Sequence, residues 1–159
     1  MIVNTPQQTF RAALGQFFVK ETSTENLAAA RSLIERSETA GADLLVLPEC
    51  IIARKLGMPD WGQKHAEPLD GPFVSGLREA TRGRRVTVVC TVQAKIANES
   101  RYANDLLVIQ NGELRLTYQK IHLYDAFRGK ESSYAAPGDV LPQVLQIGPF
   151  KVGFLTCYD

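Results

Sequence analysis

Three polar residues close three apolar stretches of the sequence. Glu49 follows LLVLP, Lys120 ends LRLTYQ, and Cys157 ends VGFLT. Catalytic groups concentrate at strand ends, on loops held by a rigid scaffold. A thiol, a carboxylate and an ammonium together suffice for acyl transfer. The thiolate attacks a carbonyl carbon, the carboxylate takes the thiol proton, and the ammonium holds the oxyanion. Taken singly, each residue has a plainer reading. A carboxylate after a strand is commonly solvated or capping, and a lysine ending a hairpin is commonly a solubilising charge. A cysteine in an apolar run is commonly core. The set gains meaning only if the fold brings its members together.

The elements that must do so are legible in outline. Phe10–Val19 predicts a buried strand. Thr22 and Glu25 form a capping box ahead of Leu27, Ala30 and Ile34, and Gly41 stops that helix. Asp43–Pro48 reads as a short apolar strand buried on both faces. Cys50–Pro72 reads as a long loop. Phe73, Val74, Leu77 and Ala80 mark a second amphipathic helix, and Val86–Ala94 a third strand. Asp105–Lys120 predicts a hairpin around Asn111-Gly112. Ile121–Val140 is a polar loop with little pattern. Gln143–Ile147 and Lys151–Cys157 close the chain as two strands about a Gly-Pro turn. Strand, helix and strand in succession predict an α/β protein, and 159 residues fit one domain.

Composition narrows the function. A net charge of +1 with dispersed basic residues argues against a nucleic-acid partner. The dense spot Arg82-Gly83-Arg84-Arg85 reads as a solvated helix end, where cations suit the dipole. Met1–Thr9 lacks the pattern of a secretory leader, and no apolar run approaches a membrane span. The three cysteines, Cys50, Cys90 and Cys157, form no CxxC pair, which points to reduced thiols in a cytoplasmic protein. Two separated histidines disfavour a zinc site, and no glycine-rich phosphate loop suggests a nucleotide cofactor. If strand geometry persists past Glu49, Cys50 points away from it; Cys90, inside VTVVCTV, is expected to lie in the core.

The segments LLVLPE, YQKIHLYD and GFLTCYD resemble the three signature segments of the carbon–nitrogen hydrolase (nitrilase) superfamily. There they carry a catalytic Glu, Lys and Cys in that order. The spacings, 71 residues from Glu49 to Lys120 and 37 from Lys120 to Cys157, are similar to the family's. KIHLYDAF looks closest to the omega-amidase and deaminated glutathione amidase branch. The resemblance runs from Phe10 to the chain end and implies a four-layer α-β-β-α sandwich. It implies hydrolysis of a non-peptide C–N bond, in a small carboxylated amide, through a thioester on Cys157. Glu49 is then the base, and Lys120 stabilises the oxyanion with the backbone N–H of Tyr158. No metal or organic cofactor is implied, and complete members form homo-oligomers. Glu131 in GKES matches a second glutamate that positions substrate and lysine; a solvated loop carboxylate is the alternative. His122 reads as a structural hydrogen-bonder rather than half of a Cys–His pair, and Arg128 and Lys130 as solvated loop charges. Trp61 either rims the pocket or packs on the surface.

Family members continue well beyond the cysteine. The resemblance therefore implies that residues 1–159 are the N-terminal portion of such a domain. The sandwich would be truncated after the nucleophile strand, and the chain as given incomplete and inactive. With two residues after Cys157, the turn that follows the nucleophile is expected to have nothing to hold it. The competing expectation is a non-catalytic half-domain that acts only by associating with another protein.

Overall fold

The computed structural model describes residues 9–127 and 129–159, so Arg128 and the opening eight residues lie outside the description. In chain order the elements are β1 (Ala12–Leu14), α1 (Ser23–Thr39), β2 (Leu44–Val46), α2 (Trp61–Lys64), α3 (Pro72–Thr81), β3 (Thr87–Lys95), β4 (Tyr102–Gln110) and β5 (Glu113–Gln119). A 3-10 turn (Glu131–Ser133), β6 (Ala135–Ala136), β7 (Leu145–Ile147) and β8 (Phe150–Val152) follow. The caps explain the ends of α1. Thr22 accepts from the Glu25 N–H, and Gly41, at φ +66, turns the chain left-handed after the Ala40 C-cap. Asn111 and Gly112, both at positive φ, make the β4–β5 turn whose twist suits a hairpin.

Six strands form one sheet, in the order β1-β2-β3-β4-β5, with β6 pairing the start of β4. The first three run parallel and β3-β4-β5 is an antiparallel meander. β7 and β8 form a separate two-stranded sheet. Period-two alternation sorts the strand residues onto two faces. Val88, Cys90, Val92, Leu107 and Ile109 meet Ala30 and Ile34 of α1 and Phe73, Val74 and Leu77 of α3. Gly76 permits that close helix pair, since a Cβ there would lie 2.5 Å from Leu27 Cδ2. On the opposite face Val89, Leu106, Val108, Leu116 and Tyr118 are covered by Ile147 and Phe154. Helices, main sheet and small sheet are thus three layers of the expected α-β-β-α order.

The outer strands are shorter than their apolar runs. β1 ends at Leu14, and the Gly15 N–H makes its last bond to Val46 O. β2 offers no further ladder, because Pro48 lacks an N–H; Phe18 is accordingly exposed. β8 likewise ends at Val152, so Cys157 lies five residues past a strand rather than at its end. The long loop contains the short helix α2, and the polar loop contains the 3-10 turn and β6.

Candidate active site

The inner face of the sheet is apolar at one end and polar at the other. Leu116, Tyr118 and Lys120 share one phase, as do Asn104, Leu106 and Val108. Asn104, Lys120, Thr91 and Gln93 are buried at the polar end. A buried polar group is tolerated only where its hydrogen bonds are made. The bonds made here create the site.

Gln93 and Thr91 hold the irregular segment that follows β2. Thr91 Oγ1 accepts from the Cys50 N–H at 2.7 Å, and Gln93 Oε1 from the Ile52 N–H at 3.0 Å. Gln93 Nε2 donates to the carbonyls of Cys50 and Ala53, both at 3.0 Å. Asn26, from α1, donates to Ile52 O at 2.9 Å. Glu49 is therefore carried on a backbone fastened from two elements. Cys50 has a φ of +56, a sharp reversal where a strand would have alternated. The strand geometry that would have pointed Cys50 away from Glu49 does not persist, and the two residues line the same cavity.

Lys120 is 1% exposed and reaches Glu49 Oε1 at 3.1 Å and Glu131 Oε2 at 3.0 Å. Burial alone would lower its pKa, but hydrogen bonds to Glu131 and the charge of Glu49 outweigh that and raise it. The backbone of Lys120 is tied to Asn104 O at 2.9 Å and to the Gly138 N–H at 2.9 Å. Glu131 is buried, not a solvated loop carboxylate, and also accepts from the Tyr124 N–H at 2.7 Å. Asn104, which no sequence motif marks, is fully buried. Its Nδ2 donates to Glu49 at 2.7 Å and to Glu131 at 3.4 Å. Two carboxylates can only accept here, which fixes the orientation of the amide. The available signal was an Asn in phase with Leu106 and Val108 in an otherwise apolar strand.

Cys157 sits on an exposed turn with φ +51. The turn is held, contrary to expectation, and Asp159 holds it. The Asp159 side chain is 2% exposed. It accepts from Tyr118 Oη at 2.9 Å, from the Ile121 and His122 N–H groups at 3.2 and 2.8 Å, and from the Thr156 N–H at 3.4 Å. Burial would raise its pKa, yet these donors hold it below the usual carboxylate range. The cysteine turn is thereby bound to the two residues that follow Lys120. The Cys157 thiol stands above its ordinary pKa. Partial burial of the group is the first cause and the Glu49 carboxylate, by charge and as hydrogen-bond partner, reinforces it; Lys120 opposes.

The remaining residues sort readily. The His122 ring is 64% exposed and meets Asp159 at 3.2 Å, a structural contact. Lys130 is exposed. Trp61 lines the cavity, donates to Glu21 O at 2.9 Å and stacks on His65. Cys90 is core, and burial pushes its thiol up to about 12. The Tyr158 ring is exposed and packs edge-on against Tyr124. Arg84 donates to Ala80 O at 2.8 Å, as a cation at a helix end should. Glu49, Lys120, Glu131 and Cys157 all line one cavity of about 400 Å³. Among the described residues no group of three His, Cys, Asp or Glu side chains is placed to hold a metal. None of the described helices is long and apolar enough to cross a membrane.

A family model described as carbon-nitrogen hydrolase matches residues 11–159. The deaminated glutathione amidase of Escherichia coli O157:H7 is 33% identical over 92% of this chain and 56% of its own length. The omega-amidase of Xenopus tropicalis is 28% identical over 94% of this chain and 55% of its own. An amidase of Nesterenkonia sp. AN1, solved with an acetamide moiety on its active-site cysteine, superposes with a TM-score of 0.78 at 25% identity. That match covers 94% of this chain and 56% of the amidase. The chain spans about half the length of the curated relatives it matches. A match over nearly all of its described length establishes that the chain belongs to the carbon-nitrogen hydrolase family.

Proposed function

We propose that Cys157, Glu49 and Lys120 hydrolyse the C–N bond of a small carboxylated amide. One observation carries this reading: three residues far apart in sequence line a single cavity, with Lys120 fixed between two carboxylates. Glu49 takes the thiol proton as Cys157 Sγ attacks the carbonyl carbon. Lys120 and the Tyr158 backbone N–H stabilise the oxyanion. The C–N bond breaks, ammonia leaves with the proton from Glu49, and a thioester remains. Water, deprotonated by Glu49, attacks the thioester; the acid departs and Cys157 recovers its proton. Every proton and electron pair moves among these groups, the substrate and water. Glu131 and Asn104 position Lys120 and Glu49. The named relatives, an omega-amidase and a deaminated glutathione amidase, support the amide as substrate.

The chain supplies the N-terminal portion of such a domain and is inactive until the rest is present. The half-length match to its relatives supports this. The complete protein is a homo-oligomer, and the three free cysteines of residues 1–159 accord with a cytoplasmic setting. The same half-length match favours a second reading, a non-catalytic half-domain that acts by association. Ammonia release from succinamate decides between them. It is measured for the chain alone and for the chain joined to the C-terminal half of a related amidase. Turnover by the joined form alone, lost in Cys157→Ala, supports the incomplete hydrolase. Turnover by neither supports the half-domain, and turnover by the chain alone overturns incompleteness.

A further inference from the structure

The segment that carries Glu49 carries a second charged group at its far end. Three described cations line the cavity: Arg54, Lys55 and Lys120. Lys120 is matched by Glu49 and Glu131. Lys55 pairs with Glu21 at 2.7 Å and lies 4.8 Å above the Trp61 ring. Among the described residues, no carboxylate lies within ion-pairing distance of Arg54. We propose that Arg54 is a specificity residue: its guanidinium anchors the distal carboxylate of an anionic amide whose scissile carbonyl lies at Cys157. This rests on the hydrolase reading and assigns one end of its substrate to a residue.

The backbone supports the assignment. Ile52 and Ala53, just before Arg54, are 0% and 1% exposed. The Arg54 N–H donates to Lys20 O at 2.9 Å, and Gln93 and Asn26 fasten the preceding carbonyls. Glu49 and Arg54 are thus opposite ends of one fastened segment, so anchoring a ligand there orders the arginine side chain and little else of the protein. The charge also reaches the cavity interior. The Tyr134 hydroxyl is pushed up by burial and by Glu131, and Arg54 pulls it back. An arginine fork matches a carboxylate with two parallel hydrogen bonds, which a lysine cannot reproduce. Arg54 is itself exposed, so the gain is screened and falls at the low end for a charged hydrogen bond, about tenfold in affinity.

The test is calorimetric titration of the chain carrying Cys157→Ala, which leaves the ligand intact. Succinamate is compared with butyramide, which has a methyl where succinamate has its carboxylate. The expected result is about tenfold tighter binding of succinamate, a preference that shrinks with added salt. Adding Arg54→Ala should erase the preference and leave butyramide binding unchanged, while Arg54→Lys should restore part of it. If Arg54→Ala does not fold, Arg54→Gln takes its place. A preference that survives the loss of Arg54, an equal loss for both ligands, or no preference in the parent overturns the proposal. A failed hydrolase reading looks different: both amides bind as described and neither is turned over by any form retaining Cys157.

Discussion

Lys120 and Cys157 share a cavity but not a scaffold. Lys120 leaves β5, inside a six-stranded sheet backed by two helices, and is 1% exposed. Cys157 lies five residues beyond the three-residue strand β8, on an exposed turn outside the two-stranded sheet. An isolated pair of short strands is marginal by itself. Two attachments compensate. Ile147 and Phe154 cover the apolar end of the main sheet, and the Asp159 carboxylate gathers donors from Tyr118, Ile121 and His122. Lys120 and Glu131 are therefore built into the core, Glu49 is half-exposed at its margin, and the cysteine turn is docked onto them. Asp159 is the joint between the two regions.

The largest effect expected is on chemistry. In whichever form turns over amide, the chain or its joined version, Cys157→Ala should lower turnover by about a thousandfold or more. Cys50→Ala and Cys90→Ala should retain it, although Cys50 lines the same cavity. Its thiol is pushed up to about 12 by burial and by Glu49, and so stays protonated. Ammonia release measures all three. Activity surviving in Cys157→Ala would sink the assignment of the nucleophile.

The next effect separates the regions by stability. Lys120→Met strands two carboxylates around an apolar side chain. Breaking a buried pair this way costs about 3–5 kcal/mol, read as a lower urea midpoint at unchanged slope. Asp159→Ala should cost less, about 1–3 kcal/mol, because it leaves backbone donors that water can reach. Its damage should also be local. Amide exchange should quicken across Leu145–Cys157 and stay slow across Thr87–Gln110. Uniform quickening would show that the small sheet and the main sheet unfold together, and the two-scaffold picture would go.

Structure set by local signals is legible in the sequence. The capping box at Thr22, the stop at Gly41 and the Asn111-Gly112 turn are settled by the residues that form them. Structure that depends on a distant partner is not. Phe17, Phe18 and Val19 are as apolar as any strand, but β2 ends before it can pair with them. β6 has two residues, too few for any period to show, and exists because β4 extends past β5. Of the candidate site, Glu49, Lys120 and Cys157, which line one cavity, are legible because motifs surround them. Asn104 is not, since an Asn in a strand becomes informative only when its phase shows it to be buried. Asp159 was visible as part of CYD, but its role lies in contacts to residues 37 to 41 positions away.

The smallest effect is a displacement in pH, and its sign tests whether the two regions are electrically joined. The folded thiol of Cys157 has a raised pKa, so the unfolded chain loses that proton first as pH rises. Stability from this group is complete below the unfolded value and falls as pH climbs through the folded one. Lys120, also raised, acts in the same direction at higher pH. The thiolate is the reactive form, so the rate of iodoacetamide alkylation at Cys157, located by mass spectrometry, reports the folded titration directly. Glu49 raises that pKa and Lys120 lowers it. Glu49→Gln should therefore move the alkylation midpoint to lower pH, though burial, the larger cause, keeps it above the ordinary thiol value. Lys120→Met should move it to higher pH. Opposite displacements mean that the docked turn sits within the field of the buried cluster. Coincident midpoints in both variants would mean that the turn is too far from the cluster to feel it, and Glu49 could not then be its base.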